Sequence, residues 1–467
     1  MKRTFYIVCC VLSLQTIGYA QNIIFILTDD QGWADVSTPL DTLQKEAYSN
    51  YFETPNIDKL ASKGMVFTEA YAPAPMCTPT RRSIQYGMTP ARQRGTEFLG
   101  DFSGKGHQAI PEYLKKINPN YKCALFGKWG EVMSGTWKNQ NKEINPKALG
   151  YDESDGPNTG NVTGTFYHRN MGKAQYKQNY ICTPDDDPKR TLSVTNRAIS
   201  FIEQQVKDKQ PFYLQVNYYA LHTAHQALQA TMDKYKKKGM PNRKVHWGVA
   251  PMLEDLDTAI GKIIEAVDRL GITGETYICL SSDNGGERRY DNVLATVNKT
   301  VRGRNYPLRG YKGQLYEGGI RVPFMVSGPD IRSGSVCRAP IALYDLLPTF
   351  YELVGGRDKL PKDIDGRSIV NVFKLPEAEI NERPEHGLIF HRPIKKKQSA
   401  LRLGNYKLVL TWSGPWEIKK TELFDLDKDI GETQNLVSML PDKTKLLKNY
   451  LIEYLKGVNA EVSKKEN

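Results

Sequence analysis

The run Asn22 to Thr28, NIIFILT, is mostly apolar and leads directly into the two carboxylates of Asp29 and Asp30. Such a run is typical of a strand that is buried on both faces of a parallel sheet. Parallel sheets bind their ligands at the carboxyl ends of strands. This segment therefore predicts an α/β fold with a functional site beside Asp29 and Asp30.

Short apolar runs recur along the chain and alternate with helical patterns such as Thr54 to Lys63. Within Met252 to Leu270, apolar residues return at three- and four-residue steps and so line one helix face. The pattern predicts a large, mostly parallel mixed sheet flanked by helices. The other strand-like runs are Lys122 to Phe126, Pro211 to Tyr219, Thr276 to Ser281 and Val322 to Ser327.

Three parts of the chain can be separated by composition. Residues 1–20 combine Lys2 and Arg3 with an apolar run and a small-x-small end at Ala20, which predicts a signal peptide and export to the periplasm or medium. No later apolar stretch is long enough to span a bilayer. Residues 21–378 form the predicted large α/β domain, and residues 379–467 a smaller α+β domain with a short antiparallel sheet and a terminal helix. In the smaller domain, Ala400 to Leu410 and Glu422 to Leu426 are predicted to be short strands.

The chain is basic, with a formal net charge of +12, or +10 without Lys2 and Arg3. This excess suits a polyanionic partner such as a sulfated polysaccharide. Motifs typical of nucleic-acid binding are missing from the sequence, so we do not expect that partner. Five cysteines follow the leader without CxxC spacing, which gives no support for a zinc site.

A second oxygen-rich pair, Asp283 and Asn284, follows the run Thr276 to Ser281 and precedes two glycines. If the two strand ends converge, four oxygen donors meet without His or Cys, a set that favours calcium or magnesium over zinc. Acidic residues also cap loops and helices, so the pair Asp29 and Asp30 alone does not establish a metal site.

The segment Pro73 to Arg81, PAPMCTPTR, contains Cys77-x-Pro79-x-Arg81. This motif resembles the one that type I sulfatases, of the alkaline-phosphatase-like superfamily, present to their formylglycine-generating machinery. The blocks FGKW, YALH, SSDNGG, LRGYKGQLYEGGIRVP and ELFDLDKDIGETQNL also resemble successive blocks of that family. The chain is similar to bacterial exported carbohydrate sulfatases over residues 22–436.

The resemblance implies a sulfuric ester hydrolase whose nucleophile is formylglycine, made by oxidation of Cys77 by a formylglycine-generating or anaerobic maturation enzyme. It implies one Ca²⁺ held by Asp29, Asp30, Cys77 after modification, Asp283 and Asn284. It implies sulfate-binding cations at Arg81, Lys128 and Lys312. His222 matches the general acid that protonates the leaving alcohol, and we place His225 and Arg309 as candidate substrate contacts.

Three positions depart from the family pattern. Gly130 stands where Lys-Trp is usually followed by histidine, and His107 or His168 are candidates to replace that partner. Tyr86 replaces the usual threonine before Gly87, and Ala224 replaces a common proline. These departures leave every predicted metal ligand and the nucleophile in place.

Export, the basic charge and an Arg-rich stretch from Arg288 to Arg309 favour a sulfated poly- or oligosaccharide as substrate. That stretch is equally compatible with a solvated loop. Two other functions stay open at this level: a phosphomonoester or phosphodiester hydrolase on the same framework, and a non-catalytic protein that binds polyanions.

Overall fold

A computed structural model describes residues 22–98, 102, 104, 106–130, 145–156, 182–223, 225–239, 244–287, 304–378, 380 and 387–464. The predicted leader at residues 1–20, the candidate His168 and the departure at Ala224 lie outside these residues. No helix in the described ranges is both long and apolar enough to cross a membrane.

The described strands, in chain order, are β1 (Asn22–Thr28), β2 (Met65–Phe67), β3 (Ala70–Tyr71), β4 (Lys122–Gly127), β5 (Glu153–Ser154), β6 (Thr183–Pro184), β7 (Phe212–Asn217), β8 (Gln226–Ala227), β9 (Thr276–Ser282), β10 (Phe324–Ser327), β11 (Ser335–Cys337), β12 (Ile341–Ala342), β13 (Leu388–Arg392), β14 (Gln398–Leu403), β15 (Tyr406–Gly414) and β16 (Glu417–Asp425). The α-helices are α1 (Pro55–Lys63), α2 (Cys77–Tyr86), α3 (Ile110–Ile117), α4 (Thr191–Lys207), α5 (Gln229–Lys238), α6 (Lys244–Arg269), α7 (Glu317–Ile320), α8 (Leu346–Leu353), α9 (Val370–Lys374) and α10 (Pro441–Gly457).

Eight strands form the main sheet in the order β11-β2-β10-β9-β1-β7-β4-β5. Strand β1 lies near its centre and pairs in parallel with both β7 and β9. Strand β10 is antiparallel to its two neighbours, which makes the sheet mixed. The predicted α/β class with a mostly parallel mixed sheet is therefore confirmed.

The main sheet is buried on both faces, as the apolar run of β1 predicts. Ile24 and Ile26 point to one side, where they share a core with helices α4 and α6. Ile23, Phe25 and Leu27 point to the other side, toward helices α3 and α8. All seven residues of β1 are buried, so the polar residues that follow it begin inside the protein.

The C-terminal part contains a four-stranded antiparallel sheet, β13-β14-β15-β16, and helix α10. In β15 the side chain of Val409 joins a core that includes Tyr71 of β3 and Ala342 of β12, while Leu408 and Leu410 pack toward α10. The predicted run Ala400 to Leu410 is in fact two strands joined by a turn, because Gly404 and Asn405 interrupt it. The domain boundary at residues 378 and 379 stays a prediction.

Helix α1 is capped by a residue of another helix. The side chain of Thr54, at its N-cap, accepts no backbone N–H of the first turn. The carboxylate of Asp257 in α6 instead accepts the backbone N–H groups of Asn56 at 3.1 Å and Ile57 at 2.8 Å. These N–H groups have no partner within a helix, so the cap links α1 to α6.

Replacing Asp257 with alanine should lower the free energy of unfolding by roughly 1–3 kcal/mol, because two backbone donors lose their buried acceptor. Asp268→Ala is the matched control on the same helix. Its exposed ion pair with Lys63, 3.5 Å long, should contribute at most about 0.5 kcal/mol. Urea unfolding of both variants measures the difference, and equal losses would contradict the capping role.

Candidate active site

Two oxygen-rich pairs, Asp29 with Asp30 and Asp283 with Asn284, meet at the carboxyl edge of the main sheet. Strands β1 and β9 are parallel neighbours with Thr28 opposite Ser282, so the residues that follow each strand emerge side by side. The backbone N–H of Asp30 donates to Asp283 Oδ1 at 3.2 Å. The Asn284 side-chain amide donates to Asp30 Oδ1 at 2.7 Å. The predicted convergence of the two strand ends is thus present.

These residues fit a divalent cation. Asp29, Asp30 and Asp283 each place one carboxylate oxygen within 4.8 Å of the others. Asp29 Oδ1 and Asn284 Oδ1 are buried and have no hydrogen-bond partner among the described residues. Buried polar atoms rarely stay unsatisfied, and an all-oxygen donor set suits a hard ion such as Ca²⁺ or Mg²⁺.

Each carboxylate is also paired with one cation that sequence analysis singled out. The nearest nitrogen and oxygen atoms lie 2.5 Å apart for Lys128 and Asp29, 2.6 Å for Lys312 and Asp30, and 2.7 Å for Arg81 and Asp283. Buried charges are tolerated when they are paired in this way. The same cations can turn to an anionic ligand if a metal ion takes over the carboxylates.

The three carboxyls differ in acidity. Burial raises the pKa of Asp29 and of Asp30, but neighbouring positive groups together outweigh it and hold both pKa values below the ordinary value. The largest of these opposing charges is Lys128 for Asp29 and Lys312 for Asp30. Burial and the charge of Asp29 raise the pKa of Asp283 to about 6, against the opposing charge of Arg81. Asp283 is therefore the carboxyl of this cluster that protonates first as pH falls.

Cys77 is the first residue of helix α2, and its side chain is buried. The positive end of the helix dipole favours negative charge at this position. A charge on Cys77 contributes to the raised pKa of Arg81, Lys128 and Lys312, so the thiol lies within electrostatic range of all three. The fold thus brings Cys77 close to the three cations that the resemblance singles out, and the roles of these residues stay a prediction.

His222 faces the cluster with one ring nitrogen. Its Nδ1 lies 2.7 Å from the carbonyl oxygen of Thr223, which assigns the proton of the neutral ring to Nδ1. Its Nε2 lies 3.9 Å from Asp30 Oδ2. Burial and then the charge of Lys312 lower the pKa of His222 to about 4, so the ring is neutral at pH 7 and Nε2 accepts a proton.

The two candidate substrate contacts occupy different places. His225 is fully buried, and burial lowers its pKa well below the ordinary value. Arg309 instead reaches the C-terminal sheet, where Nη1 lies 3.3 Å from Glu422 and 3.0 Å from the carbonyl oxygen of Glu432. Its guanidinium also lies 3.8 Å from the ring centre of Tyr316. These contacts tie Arg309 to structural residues.

The backbone at Gly130 explains one departure from the family pattern. Its φ is +78°, and a Cβ built there would lie 2.7 Å from Arg81 Cδ. A histidine would therefore displace Arg81, which also donates to the carbonyl oxygen of Lys128 at 3.0 Å. The candidate substitute His107 pairs with Asp363 through Nδ1 at 2.9 Å, and Asp363 is not a site residue.

Two buried cations near the site were missed by sequence analysis. Arg304 bonds Asp35 at 2.7 Å and the carbonyl oxygen of Asp30 at 2.7 Å, which fixes the Asp30 backbone at φ +61°. Burial lowers the pKa of Lys189 to about 7, and its Nζ has no hydrogen-bond partner among the described residues. Sequence analysis considered Arg304 only as part of the stretch Arg288 to Arg309 and did not single out Lys189, because sequence shows charge but not burial.

Comparison with known proteins agrees with this geometry. The family described as "Sulfatase" matches residues 21–356, and "N-sulphoglucosamine sulphohydrolase, C-terminal" matches residues 311–460. A sulfatase of Formosa agariphila is 26% identical over 91% of this chain and 86% of its own length. N-acetylgalactosamine-6-sulfatase of Mus musculus is 26% identical over 88% of this chain and 76% of its own length.

Solved structures show the same fold. The chain is similar to Ps i-CgsB, with 27% identity, a TM-score of 0.69 and coverage of 94% of this chain and 92% of that one. Its complex with k-i-k-neocarrahexaose matches with 25% identity, a TM-score of 0.70 and coverage of 96% and 95%. The family match spans most of the chain, which therefore belongs to the sulfatase family of sulfuric ester hydrolases.

Proposed function

We propose that this protein hydrolyses sulfate esters of a poly- or oligosaccharide, with formylglycine made from Cys77 as nucleophile and one bound Ca²⁺. The observation that carries the proposal is the position of Cys77. It begins helix α2 within electrostatic range of Arg81, Lys128 and Lys312, and these three cations also pair with the cluster Asp29, Asp30 and Asp283.

The three cations are suited to bind the sulfate group. Lys128 and Arg81 are almost completely buried, and Lys312 is 12% exposed, so their charges act where water does not screen them. Charge-assisted hydrogen bonds to a sulfate ester are strong in such a setting and grow as charge moves onto the leaving oxygen. Asp29, Asp30, Asp283 and Asn284 would hold the metal ion, and Arg81, Lys128 and Lys312 would then be available to the sulfate group.

A metal ion bound by the carboxylates would supply positive charge for the sulfate oxygens. The hydrated aldehyde at residue 77 would supply the hydroxyl group that attacks sulfur. His222 donates a proton to the oxygen of the leaving alcohol. A bound sulfate ester places negative charge beside Lys312 and offsets the repulsion that this lysine exerts on His222. The pKa of His222 then rises, and Nε2 can hold the proton that it donates to the leaving oxygen.

The substrate class is supported by chemistry and by relatives. A basic chain with a net charge of +12 attracts polyanions. The names of similar proteins include N-acetylgalactosamine-6-sulfatase, and one similar structure contains k-i-k-neocarrahexaose. The leader-like residues 1–20 support export, and the Cys77 motif supports modification by a formylglycine-generating or anaerobic maturation enzyme. His225 remains a candidate substrate contact.

Protein produced with a formylglycine-generating enzyme should show, in the tryptic peptide containing Cys77, the mass loss of a thiol converted to an aldehyde. It should release sulfate from sulfated oligosaccharides but little phosphate from matched phosphate esters. Cys77→Ala should lose this activity by roughly 10³-fold or more, because the nucleophile is gone. Cys337→Ala, a buried cysteine in β11, should keep it. Persistent unmodified Cys77 beside a converted control sulfatase would contradict the proposal.

Removing divalent cations with a chelator should abolish sulfate release and lower the melting temperature. Added Ca²⁺ should restore both, with a stabilisation of about 2.7 kcal/mol at a concentration 100 times its Kd. Asp283→Asn should weaken this thermal shift, because one anionic ligand is lost. Asp255→Asn, at a buried carboxylate that bonds Leu228 and Thr231, should retain it. A shift equal in both variants would rule out the proposed cation site.

A further inference from the structure

The segment 309–321, which carries Lys312, lies between the candidate site and the C-terminal sheet. On the site side, the backbone N–H of Lys312 donates to the carbonyl oxygen of Gly286 at 3.0 Å. The N–H of Gly313 donates to the carbonyl oxygen of Pro75 at 2.7 Å, two residues before Cys77. The position of this segment therefore affects both Lys312 and the loop of the nucleophile.

On its other side, two side chains of the C-terminal sheet hold the same segment. Arg392 in β13 donates from Nη1 to the carbonyl oxygen of Gly313 at 2.5 Å. Gln398 in β14 accepts the backbone N–H of Leu315 through Oε1 at 3.2 Å. Arg392 and Gln398 are directly opposite in the register of β13 and β14. One cross-strand pair thus bonds the backbone at both residues that flank Gln314.

The orientation of the Arg392 guanidinium is itself fixed by hydrogen bonds. Its Nε and Nη2 donate to the two carboxylate oxygens of Glu97 at 2.8 and 3.0 Å, and both side chains are buried. Such bidentate pairing sets the orientation of a guanidinium. Gly313 has φ +95°, and a Cβ there would lie 2.8 Å from Arg392 Nη1, so the close approach requires glycine.

The far end of the segment is anchored by buried charges. Lys407 Nζ lies 2.8 Å from Glu317 Oε1 and 2.9 Å from Glu432 Oε1. The backbone N–H of Glu317 also donates to Glu432 Oε2 at 2.7 Å. The C-terminal sheet and the loop after it therefore bond the segment on both sides of residue 316, and the segment cannot shift without breaking several buried bonds.

We propose that Arg392 and Gln398 are positioning residues of the sulfatase site: they place Lys312 against the sulfate position and hold the loop that presents Cys77. This inference rests on the proposed function for its effect on turnover, but the positioning itself is a property of the fold. The C-terminal part then completes the active site without supplying a group that reacts.

Arg392→Met and Gln398→Leu test the proposal, with Arg402→Met as the matched control. Arg402 lies in the same sheet, is equally buried, and its hydrogen bond across to the large domain goes to Glu69 at 2.6 Å. Rates are normalised to formylglycine content. We expect kcat/KM to fall about 10- to 100-fold in Arg392→Met and less in Gln398→Leu, because small displacements of a binding cation are costly. We expect KM and the inhibition constant of inorganic sulfate to rise, whereas a loss of folded protein would lower only the apparent kcat.

Hydrogen exchange gives a second readout that needs no activity. Peptides covering residues 312–315 should exchange their amide hydrogens faster in both test variants. In Arg402→Met their exchange rate should equal that of the wild-type protein. Unchanged exchange and kcat/KM in Gln398→Leu, or equal losses in Arg402→Met, would overturn the proposal. If Arg392→Met does not fold, Gln398→Leu alone tests the proposal. It replaces a neutral side chain and so leaves no buried charge without its partner. If the wild-type protein hydrolyses no sulfate ester, the proposed function fails. The hydrogen-exchange result still tests whether Arg392 and Gln398 position the segment that carries Lys312.

Discussion

Buried carboxylates at the ends of β1 and β9 are tolerated only because three cations meet them there. A single charge left unpaired in this interior would cost several kcal/mol, so each acid depends on a partner from another part of the chain. The cations come from helix α2, from the loop after β4 and from the segment 309–321. Folding must therefore bring these distant segments to one point, and the pairs are those of Arg81 with Asp283, Lys128 with Asp29, and Lys312 with Asp30.

The same pairing suits a site that has to bind a cation and an anion together. Carboxylates and ammonium groups that neutralise each other can exchange partners when a metal ion and a sulfate ester enter. Buried oxygens of Asp29 and Asn284 that have no hydrogen-bond partner among the described residues are the positions that a metal ion would occupy in such an exchange. The three acids and three cations cancel one another, and Ca²⁺ with a singly charged sulfate ester would add a net charge of only +1.

Contacts outside the cluster decide how well it is held. Arg304 fixes the backbone of Asp30, and Gly130 leaves room for Arg81 where a histidine would collide with it. The C-terminal sheet holds the segment of Lys312 through Arg392 and Gln398. In this protein the C-terminal sheet is part of the support of the site, and Arg309, a predicted substrate contact, belongs to that support through Glu422.

The sequence by itself determined the α/β class and the central strand, and it predicted the acids, cysteine and cations that the structure brings together, because apolar runs, strand-end acids and family motifs are local patterns. It misread Ala400 to Leu410 as one strand, although the pair Gly404-Asn405 is typical of a two-residue hairpin turn. Only the tertiary structure decided which cation pairs with which acid, that Lys189 and Arg304 are buried, and that Arg392 bonds Gly313. These outcomes depend on contacts between residues far apart in the chain, and burial of a charged side chain is a property of its surroundings rather than of its neighbours in sequence.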